Sequence, residues 1–481
     1  MNHHHDSVRV RQGFTMKRIF LVLSLLALAL TAVPCPAAPD DGALQLPPYK
    51  KVKLPNGMTL MLMERHQVPL ISFSFLVKAG SVADPAGKEG VASLAATLLT
   101  KGTKTRTADQ ISADLDFIGG TLEANATLDF TGGAAEFLKK DIKQGLDLMT
   151  DALMNPTFPQ DEFEKLVKQR IDGIKAGKDE AQGVLGTYFS AYFYGNHPYG
   201  RPVGGDEKSL AAITREDVVK FYEAQYTAPN MIMAVAGDFN TAEMERMLNE
   251  RFAAWPAKAA PAIALPEPSP VQGKRLLLVD KPDSTQTFYQ IGNLGISRTN
   301  PDRVFIEVVN TLFGGRFTSM LNTELRIKTG LTYGARSRFA ERKVPGPFVI
   351  SSFTANPTTE KALDMTLEVL NRLHEKGISE QELKSAKTYI KGQFPPTIET
   401  TDQLAGQIAS LEFYGLDASE INTYYAKIDS MTLADAQRVI KQYYPQNNLA
   451  FVLIGKAEEI QKVAGKYAPH MDNKKISQPG F

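Results

Sequence analysis

Residues 213–237 read ITREDVVKFYEAQYTAPNMIMAVAG, and residues 431–455 read MTLADAQRVIKQYYPQNNLAFVLIG. At a constant offset of 218 positions Thr214 meets Thr432, Asp217 meets Asp435, Tyr226 meets Tyr444, Asn230 meets Asn448 and Gly237 meets Gly455. The pattern has one physical meaning in both places. Thr followed three residues on by an acid caps a helix start. The helix ends in an aromatic cluster, and an apolar strand follows and stops at Gly. Upstream, Pro159-Gln160-Asp161-Glu162 stands against Ser379-Glu380-Gln381-Glu382 at an offset of 220. Spacing kept without a gap through helix and strand predicts a tandem duplication of one α+β unit of about 215 residues.

Working outward, Val52 to Glu64 contains Asn56-Gly57 between apolar alternations, the signal of a two-residue hairpin. Ile71 to Val77 alternates as a strand. Helical patterns cover about Gly90 to Leu99 and Ala108 to Ile118, the second closed by Gly119-Gly120. Strand signal covers Thr121 to Phe130, and long helices cover Asp141 to Met154 and Pro159 to Ala176. The second half repeats the order, with strands at Arg275 to Val279 and Thr287 to Ile291 and a helix at Pro301 to Leu312. Between the halves, prolines at 256, 261, 266, 268 and 270 predict an extended, semi-rigid linker.

At the N-terminus, Lys17 and Arg18 precede the apolar run Ile19 to Val33, and small residues follow at Ala37 and Ala38. This reads as a secretory signal peptide, too short to span a membrane comfortably. Met16 is then a plausible start and Ala37 the expected cleavage point, with export to the periplasm as the expected destination. The reading removes His3, His4, His5 and Cys35; Pro34 argues against Cys35 as a lipid anchor. The chain thus divides into a leader over 1–37, a first unit over 45–255, a linker over 256–273 and a second unit over 274–470.

Composition excludes several classes. The 481 residues are 43% hydrophobic and 22% charged, an ordinary globular balance. Lys and Arg number 54 against 53 Asp and Glu, so no basic surplus points to nucleic acid. A single cysteine excludes an intramolecular disulfide and any thiolate-rich metal site.

Short motifs recur in a telling order: Gly90-Val91-Ala92, Lys101-Gly102-Thr103, His197-Pro198-Tyr199-Gly200-Arg201-Pro202, Trp255-Pro256, Phe313-Gly314-Gly315, then Arg326, Gly330-Leu331 and Tyr333. In order and spacing the chain resembles the pitrilysin/insulinase (inverzincin) family of zinc metallopeptidases over nearly all of residues 48–470. It is most similar to the short, two-domain members such as subunits of the mitochondrial processing peptidase and their bacterial relatives. The resemblance implies two homologous α/β-sandwich domains. Active members carry His-x-x-Glu-His between the Gly-Val-Ala and Lys-Gly-Thr segments, and a third ligand, Glu, about 76 residues beyond the second His.

Here the zinc histidines fall on Ser93 and Thr97, the general base on Ala96, and the third ligand on Gly173 beside Asp172. Ligands at i and i+4 share a helix face, and zinc wants imidazole, thiolate or carboxylate there rather than hydroxyl. Ala96 cannot take a proton from water. Asp172 in a shifted register would supply one carboxylate and no more. Ser93 has no His or Lys at helical spacing to activate it as a nucleophile, and is expected to line a cavity left by the lost site. Outside the leader, His66, His197, His374 and His470 show no helical ligand spacing and are expected to be structural or solvent-facing. No metal is therefore expected on this chain.

The resemblance further implies a division of labour in heterodimeric members, where the chain without zinc supplies an Arg and a Tyr facing the partner's metal. The pattern Arg-x-x-x-Gly-Leu-x-Tyr is met by Arg326 and Tyr333. Arg326 would bind substrate carbonyls or carboxylates, and Tyr333 would donate to the oxyanion formed in hydrolysis. The chain is expected to be inactive alone and to pair with a zinc-bearing homologous subunit, the Zn2+ belonging to that partner and a peptide being the substrate. The alternatives are an Arg326 paired with Glu324 and a Tyr333 that is an ordinary strand residue, in a non-enzymatic scaffold or peptide-binding member of the family.

Overall fold

The computed structural model describes residues 44–481. The expected leader, Cys35 and the His3 to His5 stretch lie outside the described residues. Two six-stranded sheets organise the rest. The first contains β1 (Lys50–Lys53), β2 (Thr59–Glu64), β3 (Leu70–Val77), β4 (Thr121–Ala126), β5 (Thr131–Leu138) and β6 (Met231–Gly237), in the order β1-β2-β6-β3-β5-β4. The second contains β7 (Lys274–Asp280), β8 (Gln286–Leu294), β9 (Ala335–Phe339), β10 (Pro347–Ala355), β11 (Leu449–Gly455) and β12 (His470–Lys475), in the order β12-β7-β11-β8-β10-β9. Five strands correspond one to one: β2 to β7, β3 to β8, β4 to β9, β5 to β10 and β6 to β11. In each half the central strand is parallel to one neighbour and antiparallel to the other, as with β6 on β2 and β3 and β11 on β7 and β8. The sixth differs. β1 is the antiparallel arm of a hairpin, whereas β12 lies parallel to β7 and carries the second sheet past residue 470.

The helices repeat too. In the first half they include α1 (Val91–Leu98), α2 (Ala108–Ile118), α3 (Ile142–Met154), α4 (Gln160–Gly177), α5 (Ala181–Tyr194), α6 (Arg215–Gln225) and α7 (Thr241–Phe252). In the second they include α8 (Arg303–Asn310), α9 (Thr359–Lys376), α10 (Glu380–Gln393), α11 (Thr401–Tyr414), α12 (Leu433–Tyr443) and α13 (Ala457–Ala464). The duplicated capping residues do the same work twice. Thr214 and Asp217 exchange side-chain and backbone bonds at the start of α6, and Thr432 and Asp435 do so at the start of α12.

Every residue of β6 and of β11 is buried. The cause is that each sheet is covered on both faces, and one cover comes from the other half. Helix α5 leaves the first half to pack on β8 and β11, while α11 leaves the second half to pack on β3 and β6. Strands buried on both faces read as continuous apolar runs, which is why Met231 to Val235 is legible as a strand.

Polar contacts also join the halves, among them Ser72 with Thr401, Arg275 with the Tyr192 and Phe193 carbonyls, and a cluster around Tyr199. The Tyr199 hydroxyl, buried in the His197–Pro202 segment, donates to Asp129 Oδ1. Asp129 Oδ2 accepts from the Lys343 N–H at 3.0 Å, and the Arg342 guanidinium lies 5.0 Å from the Tyr199 ring centre. Asp129→Ala leaves a buried hydroxyl and an amide without their acceptor. We expect a loss of about 3 kcal/mol, read as a lowered urea midpoint. The linker is strapped down nearby: His197 Nε2 donates to the Pro266 carbonyl at 2.8 Å, and Asn293 bonds both backbone groups of Val271.

Two local expectations are corrected. The β1–β2 connection spans Leu54 to Met58, since Lys53 pairs with Thr59. Its turn is closed by Gly57 N–H on Leu54 O at 2.8 Å, so Pro55 and Asn56 hold the central positions and Gly57 comes last. Asn56 does not take the positive φ that a two-residue hairpin turn demands. Second, the strand signal at Thr121 to Phe130 is one arm of a hairpin whose other arm, β5, opens with Thr131-Gly132-Gly133. Gly133 lies under the Phe75 ring, where a Cβ would come within 2.0 Å of Cζ. Close backbone approach, not turn chemistry, puts Gly there.

Candidate functional site

Helix α1 carries the three positions where active relatives are expected to hold their metal motif. Its ends are built from the motif residues this chain retains. Gly90, at φ 107°, lets the chain pass Gly204, whose carbonyl oxygen would stand 3.0 Å from any Cβ there. Asp84 folds under the first turn and accepts from Gly90 N–H at 2.7 Å and Ala92 N–H at 2.8 Å, satisfying two donors the helix leaves open. At the far end Thr103 donates to Asp151 Oδ2 at 2.6 Å, and Arg106 pairs with the same carboxylate at 3.0 Å. The Gly-Val-Ala and Lys-Gly-Thr segments are thus framework, explained by caps and close approach.

Burial pushes the Asp84 carboxyl up to about 7 against the two N–H bonds that favour its charge. The sign follows from linkage. A carboxyl raised in the folded state contributes stability that is complete below its ordinary value near 3.8 and is lost as pH rises through about 7. We expect the denaturation midpoint to fall across that window in the natural chain and to flatten in Asp84→Asn.

On the face that α1 turns to α4, the metal place is occupied by a cation. Arg170 on α4 donates from Nη1 to Ser93 Oγ at 2.9 Å and from Nη2 to Thr97 Oγ1 at 2.8 Å. Thr97 Oγ1 in turn donates to the Ser93 carbonyl at 3.0 Å. The guanidinium therefore bridges the two positions, one turn apart, that would be imidazoles in an active relative. Ala96 between them is fully buried. Arg170 is half-buried, and burial lowers its pKa from the ordinary value; an Arg keeps its charge nonetheless.

The cavity expected behind Ser93 is thus filled by Arg170. Asp172 and Gly173 are exposed, and a Cβ on Gly173 would meet nothing within 4 Å. Arg170 is three residues before Gly173 on α4, hence on nearly the same face, and its length spans the missing turn. Two hydroxyls, a methyl and a guanidinium do not fit a zinc ion. Among the described residues no group of three or more His, Cys, Asp or Glu could hold a metal.

The histidines have ordinary partners. His66 is exposed between Glu64 and Asp238, His374 bonds the Tyr444 carbonyl, His470 lies exposed beside Asp472, and His197 holds the linker.

In the second half, α8 runs into a π-helical turn at Thr311–Gly315, and a second covers Thr323–Lys328. Such turns are rare and frequent at functional sites. Gly314 is required because a Cβ would come within 2.3 Å of Ser337 Oγ; the close neighbour is strand β9. Arg326 lies in the second π-turn. Gly330, at φ 63°, turns the chain back so that Leu331 and Thr332 N–H both reach the Leu325 carbonyl, at 2.8 and 3.3 Å. This fold-back sets the backbone of Tyr333 beside that of Arg326. Tyr333 is 80% exposed and Phe317 61% exposed; the Arg326 guanidinium lies 4.8 Å from the Phe317 ring centre. Arg326 stacks on Phe317 and makes no ion pair with Glu324 in this structure. Glu324 is held by Lys328 at 2.9 Å and Arg372 at 2.8 Å.

No helix among the described residues is long and apolar enough to cross a membrane.

Comparison with known proteins comes to the same architecture. Residues 60–207 match the family described as insulinase (peptidase family M16), and residues 212–390 match the peptidase M16 inactive domain. An uncharacterized zinc protease of Mycobacterium leprae is 27% identical over 405 residues, covering 84% of this chain and 91% of its own length. An uncharacterized zinc protease of Bacillus subtilis is 25% identical over 354 residues, covering 73% and 85%. A peptidase M16 inactive domain from Pseudomonas fluorescens superposes with a TM-score of 0.80 at 24% identity, over 85% of this chain and 98% of that one. A protease from Helicobacter pylori does so at 0.79 and 23%, over 85% and 100%. These two share the fold.

Proposed function

The chain belongs to the insulinase family of peptidases, family M16, and we propose that within it this protein is the non-zinc subunit of an exported, two-chain metallopeptidase. A homologous partner supplies Zn2+ and the general base. This chain contributes Arg326 to hold substrate carbonyls or carboxylates and Tyr333 to donate to the developing oxyanion. The observation that carries the reading is the opposite state of the two halves. The metal position on α1 is closed by the chain's own Arg170, while Tyr333 stands exposed beside the Arg326 turn. The test is reconstitution: the pure chain hydrolyses no peptide, and adding a zinc-bearing homologue from the same cell creates hydrolysis above that of the homologue alone. Unchanged hydrolysis on mixing would count against the role.

One observation favours a second reading, a peptide-binding member without enzymatic duty. The lost metal site has been rebuilt around a fixed charge instead of being packed with apolar side chains.

A further inference from the structure

We propose that the rebuilt site on α1 and α4 is a binding site for the carboxylate of a peptide, with Arg170 as the group that recognises it. A guanidinium has five N–H donors. Two are spent on Ser93 and Thr97, and three remain. Its partners are neutral hydroxyls, which brace it from two points and do nothing to balance its charge. Burial is the one influence that shifts its pKa; no carboxylate among the described residues contributes.

Two other cations drawn into this protein do have a carboxylate, although Arg338, like Arg170, has none contributing to it. Lys178 holds Glu207 at 2.5 Å, and Arg303 holds Glu420 at 2.7 Å. A partly desolvated charge without a counter-ion is costly, and an arriving anion relieves that cost. A carboxylate matches the planar fork in shape and charge. One guanidinium balances one negative charge, which suits a carboxylate better than a phosphate dianion. Gly204 packs beside the guanidinium, where a Cβ would touch Nη1 at 3.6 Å, and Arg170 is only half-buried, so part of it faces solvent.

The carboxylate has two sources, a peptide C-terminus or an Asp or Glu side chain. Neither needs zinc or a partner subunit, so this inference does not depend on the role of Arg326 and Tyr333.

The test is fluorescence polarisation with the whole chain and three labelled peptides of alanine, leucine and tyrosine. One ends in a free carboxylate, one in a carboxamide, and one in a carboxamide with a single internal Glu. Binding of the first at least about tenfold tighter than the second identifies C-terminal recognition. The third exceeding the second by a similar factor identifies side-chain recognition, and either result supports the site. Arg170→Gln should erase the advantage, and Arg170→Lys, which keeps the charge and loses the fork, should retain part of it. The comparison among peptides, repeated on Arg326→Ala to remove the other group proposed to hold carboxylates, stands even if Arg170→Gln fails to fold, and an advantage lost in Arg326→Ala overturns the proposal. Equal binding of all three peptides, binding of none, or an advantage that survives in folded Arg170→Gln overturns the proposal.

Discussion

With Ser93→His, Ala96→Glu and Thr97→His installed together, the chain is expected to take up no zinc beyond the unaltered protein until Arg170 is also removed. The motif would then be complete on α1, and sequence alone would call the site restored. The structure says otherwise, because Arg170 spans those two ligand positions from α4. A unit charge held about 4 Å from a divalent ion costs about 8 kcal/mol at an effective dielectric near 20. Solvent around a half-buried guanidinium reduces that figure. What remains is still several kcal/mol against the ~10–16 kcal/mol with which a well-formed site binds zinc. The third ligand is missing as well, so Gly173→Glu, for which there is open space, accompanies the motif in both variants compared. Adding Arg170→Ala to one of them should then bring the metal to about one ion per chain. Metal quantification after dialysis against zinc separates the two variants. Stoichiometric zinc in the variant that keeps Arg170 would show that the guanidinium is a movable plug.

In the reconstituted two-chain enzyme, Tyr333→Phe should lower kcat by about 10²–10³, the usual cost of deleting one oxyanion donor, or about 2.7–4 kcal/mol. Phe keeps the ring and removes only the hydroxyl, and Tyr333 is so exposed that the fold should not notice. If Arg326 also holds substrate in the ground state, as proposed, Arg326→Ala should raise KM more than it lowers kcat. The two variants therefore differ in kind, and initial rates over a range of peptide concentration distinguish them. Rates equal to those of the unaltered mixture would return both residues to the surface: an Arg stacked on Phe317 and a solvated Tyr.

The duplication was legible in the sequence because its marks are local. Capping boxes at Thr214 and Thr432 and apolar runs at Met231 and Leu449 depend on near neighbours and a fixed environment. The elements that are hard to read from sequence depend on distant ones. Helix α5 reads as AQGVLGTYFSAYFY, rich in Gly and aromatics, because it lies on the sheet of the other half, where a Cβ on Gly186 would stand 3.9 Å from Gln290 Nε2. Strand β5 is hidden by Gly132-Gly133, a spacing that answers to Phe75. The emptied metal motif was plain from Ser93, Ala96 and Thr97. Arg170 was not, because family spacing directs attention to position 173. A long side chain three residues earlier on the same helix face was the available signal.

The most direct test of an arginine in the metal's place is anomalous diffraction at the zinc edge from crystals grown with zinc. The account predicts continuous density from Arg170 to Ser93 and Thr97 and no anomalous peak beside them. A peak within bonding distance of Ser93 or Thr97, with Arg170 swung away, would contradict it.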